Sequence, residues 1–211
     1  MDNTKAIAEK LLQINAIKLS VDKPFTWASG WKSPIYCDNR KALSFPDIRD
    51  FIKKALCETV AVYHKDAGMI AGVATAGIAW GALVADQLQL PYIYVRPKPK
   101  EHGLGNQIEG CIDAGKKVVI IEDLISTGKS SLLVAEVLEG QGLTVNGMVS
   151  IFSYGFDAAK SAFDQAGVEL HSLSDYDALI TLAIEKNYVS TADQKTLLNW
   201  RTDPANWGTK V

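Results

Sequence analysis

From about residue 68 onward the chain alternates short apolar runs with helical patterns, and this alternation restricts its fold more than any other feature. Residues 69–75 (MIAGVAT) read as a buried strand, and residues 77–88 as a helix following almost without a gap. Further strands are expected over 91–95, 117–122, 144–152 and 168–173, and helices over 126–139, 156–166, 175–186 and 191–200. Strand–helix alternation with short connections calls for parallel strands joined by right-handed crossovers. Near-continuous apolar strands are what a sheet covered on both faces needs. The expected fold is therefore α/β: a central, mostly parallel, Rossmann-like sheet flanked by helices.

The first 67 residues do not continue the alternation. They hold a helix with Ile7, Leu11, Leu12 and Ile14 at helical spacing, strand-like segments at 24–30 and 33–38, and a helix at 46–63. Together they read as a small hood over one end of the sheet. With 211 residues, 47% of them hydrophobic, the chain has material for one core. The expected layout is a single domain with a hood mainly over 1–65, a core over about 66–185 and C-terminal helices over 186–211. No apolar run reaches the roughly 18 residues of a membrane span, and the mixed charges of the N-terminal segment are unlike a signal peptide. Three widely spaced cysteines (Cys37, Cys57, Cys111) fit a reducing, cytoplasmic setting. A net charge of -2 argues against nucleic acid as the main partner, and no zinc-binding spacing occurs.

In open parallel sheets ligands bind beyond the carboxyl ends of the strands. Two loops qualify: residues 74–77 (ATAG) and residues 122–130 (EDLISTGKS). The second ends like a nucleotide-binding loop of the form G-x-x-x-x-G-K-[ST], but Asp123 stands where that motif needs its first glycine. Main-chain N–H groups at a helix start suit a phosphate dianion. Glu122 and Asp123 would repel one, unless the ligand also offers hydroxyl donors. A ribose 5-phosphate does both: its hydroxyls can donate to the carboxylates at roughly 1.5–3 kcal/mol each while its phosphate lies in the turn. The bland alternative is that the two acids only end a strand and cap a turn.

These residues resemble a known family. VVIIEDLISTGKS (118–130) is similar to the phosphoribosyl pyrophosphate (PRPP) signature of type I phosphoribosyltransferases. Residues 94–110 (YVRPKPKEHGLGNQIEG) resemble the catalytic loop of the orotate phosphoribosyltransferases, 25–40 (FTWASGWKSPIYCDNR) their base-binding hood, and 72–82 (GVATAGIAWGA) their pyrophosphate-contacting loop. The resemblance implies transfer of a phosphoribosyl group from PRPP to orotate, giving orotidine 5-monophosphate and pyrophosphate, with Mg2+, in pyrimidine synthesis. It implies ribose contacts at Glu122 and Asp123, and 5-phosphate contacts at Leu124, Ile125, Ser126, Thr127, Gly128, Lys129 and Ser130. Thr75 and Ala76 fall in the loop implied to face pyrophosphate, as do Arg96, Lys98, Lys100 and His102 in the basic segment. Lys100, His102 and Asp123 carry the implied catalytic roles, with Lys100 and His102 serving a neighbouring subunit's site in a homodimer. Ser126 matches a position that contacts the orotate carboxylate, and Ile35 and Tyr36 lie in the hood segment implied to hold the base. No side chain is implied as a direct metal ligand, Asp123 reaching the ion through water.

Some positions depart from the pattern. A hood lysine is replaced by Ala28, the second basic residue of the loop by Pro97, and an orotate-contacting arginine has no counterpart over 152–156. The run RPKPKEH (96–102), with glycines at 103, 105 and 110, reads as a lid that brings cations to a leaving group. Its plainer reading is a solvated basic hairpin. His102, with an ordinary pKa near 6.5, can carry charge or deliver a proton. His64 and His171 read as surface or strand-end residues. Trp27, Trp31 and Tyr36 read equally as base-site walls or core, and Trp80, Trp200 and Trp207 as packing. Two rivals stay open: a phosphoribosyltransferase for a purine or uracil, and a regulator built on the same fold.

Overall fold

In the computed structural model the described residues are 3–27, 29–98 and 107–208. A six-stranded sheet forms the centre, built from β5 (Met69–Val73), β6 (Tyr92–Val95), β7 (Ile108–Glu109), β8 (Lys117–Ile125), β9 (Thr144–Ser153) and β10 (Leu170–Asp175). Its spatial order is β10-β9-β8-β5-β6-β7, parallel throughout except for the two-residue edge strand β7, which runs antiparallel to β6. From β5 the chain winds outward to β6, and from β8 it winds the other way to β9. The topological switch point, where such sheets open a crevice, therefore lies between β5 and β8.

All five residues of β5 are buried, and successive residues of β8 serve opposite layers. Val119 and Ile121 pack with the helices α1 (Thr4–Gln13), α2 (Pro46–Tyr63) and α3 (Gly77–Leu88). Val118 and Ile120 pack with α4 (Lys129–Glu139) and α5 (Asp157–Ala166). Each such branched side chain, fully buried, contributes about 1.5–3 kcal/mol. The last helices are α6 (Tyr176–Glu185), whose first turn is capped by the Asp175 carboxylate accepting from the Ala178 N–H at 2.8 Å, and α7 (Gln194–Thr202). Pro46 opens α2 at a position where a missing N–H costs nothing.

The segment before residue 68 divides. Helices α1 and α2 join the layer on one sheet face, α1 against β10 and α6, α2 against α3 and β9. Four very short strands make the hood proper: β1 (Ile17–Leu19) pairs antiparallel with β4 (Ile35–Cys37), and β2 (Phe25–Thr26) with β3 (Lys32–Ser33). A 3-10 helix, Asn39–Ser44, carries the hood against β8.

The structure corrects several sequence expectations. Strand β8 runs on through the two acids to Ile125, because Glu122 and Leu124 keep their ladder partners Ser150 and Phe152 on β9. Helix α4 begins at Lys129 rather than at residue 126, and β5 ends at Val73 rather than at residue 75. His64 is not a surface residue: it is 2% exposed, beside Gly147 and edge-on to His171. No helix among the described residues is long and apolar enough to cross a membrane. Trp80 and Trp200 are fully buried, in keeping with packing roles.

Candidate active site

The loop after β5 and the loop after β8 meet at the switch point because α3 lies unusually close to the sheet. A Cβ on Gly77 would come within 2.5 Å of the Ile121 carbonyl oxygen, so only glycine lets the start of α3 press against β8. This brings residues 74–76, including the exposed Thr75 and the cis Ala74–Thr75 peptide, next to Glu122 and Asp123.

The two acids differ in their surroundings. Glu122 is 5% exposed, and its carboxyl accepts from the Asp123 N–H and from the Ser131 hydroxyl, both at 2.9 Å. Asp123 is half-buried, and its main-chain carbonyl accepts from the Asn39 side-chain amide at 2.6 Å. Burial raises the pKa of both carboxyls, and the Asp123 charge raises Glu122 further. The hydrogen bond between the two side chains acts upward on Glu122 and downward on Asp123, and the Arg40 charge also favours ionised Asp123. These effects favour the proton on Glu122 over Asp123. Chemically, Asp123 is an acceptor for hydroxyl donors, with Glu122 bracing it against α4.

Beyond Ile125 the chain turns through Ser126, Thr127 and Gly128 into α4. Gly128 has φ +78, and a Cβ there would meet Phe163 of α5 at 2.7 Å, so the turn is closed to larger residues on both counts. No side chain caps α4, which leaves first-turn N–H groups available to an anion. Lys129 and Ser130 are exposed at this end, while Leu124, Ser126 and Thr127 are half-buried and Ile125 is in the core.

Arg96 stands at the end of β6 on the same rim. Its N–H donates to the Gln107 carbonyl and its own carbonyl accepts from the Gln107 amide, both at 2.9 Å. Its guanidinium lies 3.9 Å from the Glu109 carboxylate, and Lys98 is exposed nearby. Lys100 and His102 lie outside the described residues.

In the hood, Ile35 is fully buried and its carbonyl already accepts from Trp27 Nε1 and Ser33 Oγ, at 3.1 and 2.8 Å. Tyr36 is 39% exposed, its ring 5.7 Å from that of Phe25. Trp27 packs on Tyr154 and Trp200, with ring centres 5.0 and 5.6 Å apart, which makes it core and wall at once. Three residues of this region escaped sequence reasoning. Asn39, fully buried, links the Cys37 thiol (Sγ to Oδ1, 3.2 Å) to the Asp123 carbonyl. Arg40, held by Asp38 at 2.6 Å, supplies positive charge toward Asp123. Ser131 holds Glu122. The sequence signal for Asn39 and Arg40 was their place at the end of the hood motif, while Ser131 had only its position on α4.

The chain is similar to known proteins across nearly all of its length. The family model described as phosphoribosyl transferase domain matches residues 41–168. The orotate phosphoribosyltransferase of Cytophaga hutchinsonii is 51% identical over 207 residues, 98% of this chain and 99% of that one. The orotate phosphoribosyltransferase of Phocaeicola vulgatus is 53% identical over 203 residues, 96% of each chain. The crystal structure of orotate phosphoribosyltransferase from Aeropyrum pernix aligns with a TM-score of 0.75 and 29% identity, covering 87% of this chain and 99% of that chain.

Proposed function

The chain belongs to the phosphoribosyl transferase family, among its orotate phosphoribosyltransferases, and from that premise we propose how its residues divide the work. The reaction transfers the 5-phosphoribosyl group of PRPP to orotate, giving orotidine 5-monophosphate and pyrophosphate, a step of pyrimidine biosynthesis. Asp123 accepts hydrogen bonds from the ribose hydroxyls, and Glu122 sets its position and protonation. Residues 124–130 take the 5-phosphate at the uncapped start of α4. Thr75 and Ala76 line the pyrophosphate side, joined by Arg96, Lys98, Lys100 and His102 from the basic segment. Ser126 and the hood residues Ile35 and Tyr36 frame the orotate subsite.

Departure of pyrophosphate leaves positive charge on the sugar ring, so this chain's task is to hold cations at the leaving group and exclude water, more than to supply a strong base. The negative charge on Asp123 lies on the sugar side, where the ring becomes cationic. Enzymes of this family generally use Mg2+ with PRPP. The donors beside the pocket are oxygens of Asp123, Glu122, Ser126 and Thr127, which suit a hard cation, and Asp123 is the residue to hold it, through water. When bound, the ion supplies charge neutralisation at the pyrophosphate oxygens. The working unit is a homodimer with shared sites, in the cytoplasm.

The observation that carries this reading is Asp123, its main chain held by Asn39 and Glu122, one short turn before an uncapped helix start. The test is to mix protein, Mg2+ and PRPP with orotate, adenine or uracil and follow each base by ultraviolet absorbance. Orotate alone should be consumed, and Asp123→Asn should lower turnover by about 10²–10³. Consumption of adenine or uracil with orotate untouched would refute the assignment.

A further inference from the structure

Tyr154 follows directly on the carboxyl end of β9, its N–H donating to the Ile125 carbonyl at 3.0 Å, so its main chain adjoins the turn that leads into α4. The side chain is 2% exposed. Its ring is fixed on several sides: stacked on Phe156 with centres 5.5 Å apart, edge-on to Phe152 and Trp200 at 5.7 Å each, and tilted against the hood's Trp27 at 5.0 Å. A ring so enclosed cannot swing its hydroxyl out to bulk solvent.

Yet the phenol oxygen makes no hydrogen bond among the described residues, and it is not among their fully enclosed side-chain atoms without a partner, which are His64 Nε2 and Trp80 Nε1. It therefore keeps a trace of accessible surface, where the hood's Trp27 meets the end of the sheet beside Ile125. The ionisable groups close enough to act on it electrostatically are the Cys37 thiol, the Asp123 carboxylate and the Tyr176 and Tyr36 phenols. Burial and these neighbours push its pKa well above the usual phenol value, so it stays protonated and acts as a donor. A nearly buried hydroxyl left without a partner among the described residues is unfavourable, and buried polar groups are almost always satisfied by protein, water or a bound group.

Tyr176 makes the contrast. It is fully buried in the same aromatic cluster, and its hydroxyl donates to the Leu197 carbonyl at 3.0 Å, which is a structural bond. Among the described residues that phenol is satisfied and the Tyr154 phenol is not.

We propose that Tyr154 is a specificity-determining residue of the acceptor subsite, its hydroxyl donating to an anionic or carbonyl oxygen of the pyrimidine acceptor held between the hood and Asp123. This rests on the orotate reading above. The acceptor is an anion arriving beside the charged Asp123, so a rigid neutral donor on the hood side offsets part of that repulsion. The contact belongs to the base and not to the phosphoribosyl donor, because the ring packs directly on the hood's Trp27 with centres 5.0 Å apart.

The test is Tyr154→Phe, which removes one oxygen and keeps the ring. Steady-state kinetics with each substrate varied should show the KM for orotate raised about tenfold or more, with the KM for PRPP unchanged within about twofold. The melting temperature should be unchanged or higher, since no hydrogen bond to the described residues is lost. An unchanged orotate KM, equal rises in both KM values, or a lowered melting temperature would each overturn the proposal. Wild-type protein that fails to consume orotate would instead refute the underlying reading, before the variant is made.

Discussion

Replacing Asn39 with alanine should be costly out of proportion to its size. The side chain is fully buried and makes two bonds, donating to the Asp123 carbonyl at 2.6 Å and accepting from the Cys37 thiol at 3.2 Å. Its loss leaves the carbonyl and the thiol unpaired. The carbonyl adds about 1–3 kcal/mol, and the weak sulfur donor and the small void together add about 1 kcal/mol. The expected destabilisation is therefore about 2–4 kcal/mol, which for a chain of this size lowers the melting temperature by roughly 4–16 °C. Circular dichroism melts read the stability loss. Because the carbonyl belongs to Asp123, the KM for PRPP should rise as well, measured below the melting range. A melting temperature within about 1 °C of wild type, with unchanged kinetics, would show that Asn39 does not tie the hood to the strand.

Three further outcomes are expected. Gly128→Ala places a Cβ against Phe163 in a backbone conformation costing alanine about 1–2 kcal/mol, so it should lower both stability and PRPP affinity, read by thermal melts and calorimetric titration. Glu122 has its folded pKa raised above 4.5, so its contribution to stability is full below that value and is lost as pH climbs through the raised range. Urea titrations of the unliganded protein should show this decline, and Glu122→Gln should flatten it; an identical slope in the variant would contradict the assignment of the proton. Mixing inactive Lys100→Ala with inactive Asp123→Asn should restore activity if subunits share sites, and no recovery despite proven subunit exchange would place each site within one chain.

The alternating core was legible because its signals are local. A four- or five-residue apolar run followed by a glycine and a helical stripe identifies β5 with α3, or β8 with α4, without knowledge of what packs on them. Short elements held by distant partners were not legible. Strand β1 has three residues and exists because Cys37, Tyr36 and Ile35 pair with it. Strand β7 has two residues and lies inside a segment whose charges and glycines read as loop. The end of β8 was set too early because two acids interrupt an apolar pattern, although the ladder to Ser150 and Phe152 carries the strand past them. The acids and the glycine turn of the site were legible for the same local reason. Asn39, Ser131 and Tyr154 were not, since each acquires its role from a residue 29 or more positions away or, for Ser131, from a strand-to-helix turn whose geometry brings its hydroxyl back to Glu122. His64 was misread because a histidine at a helix end reads as exposed, while here it is packed beside Gly147.

A crystal structure with PRPP and Mg2+ bound tests the central claim most directly. The ribose hydroxyls should lie within about 3.2 Å of the Asp123 carboxylate oxygens, with the 5-phosphate on the N–H groups of residues 126–130. PRPP bound with its sugar away from Asp123, or with its 5-phosphate anywhere but the start of α4, would contradict it.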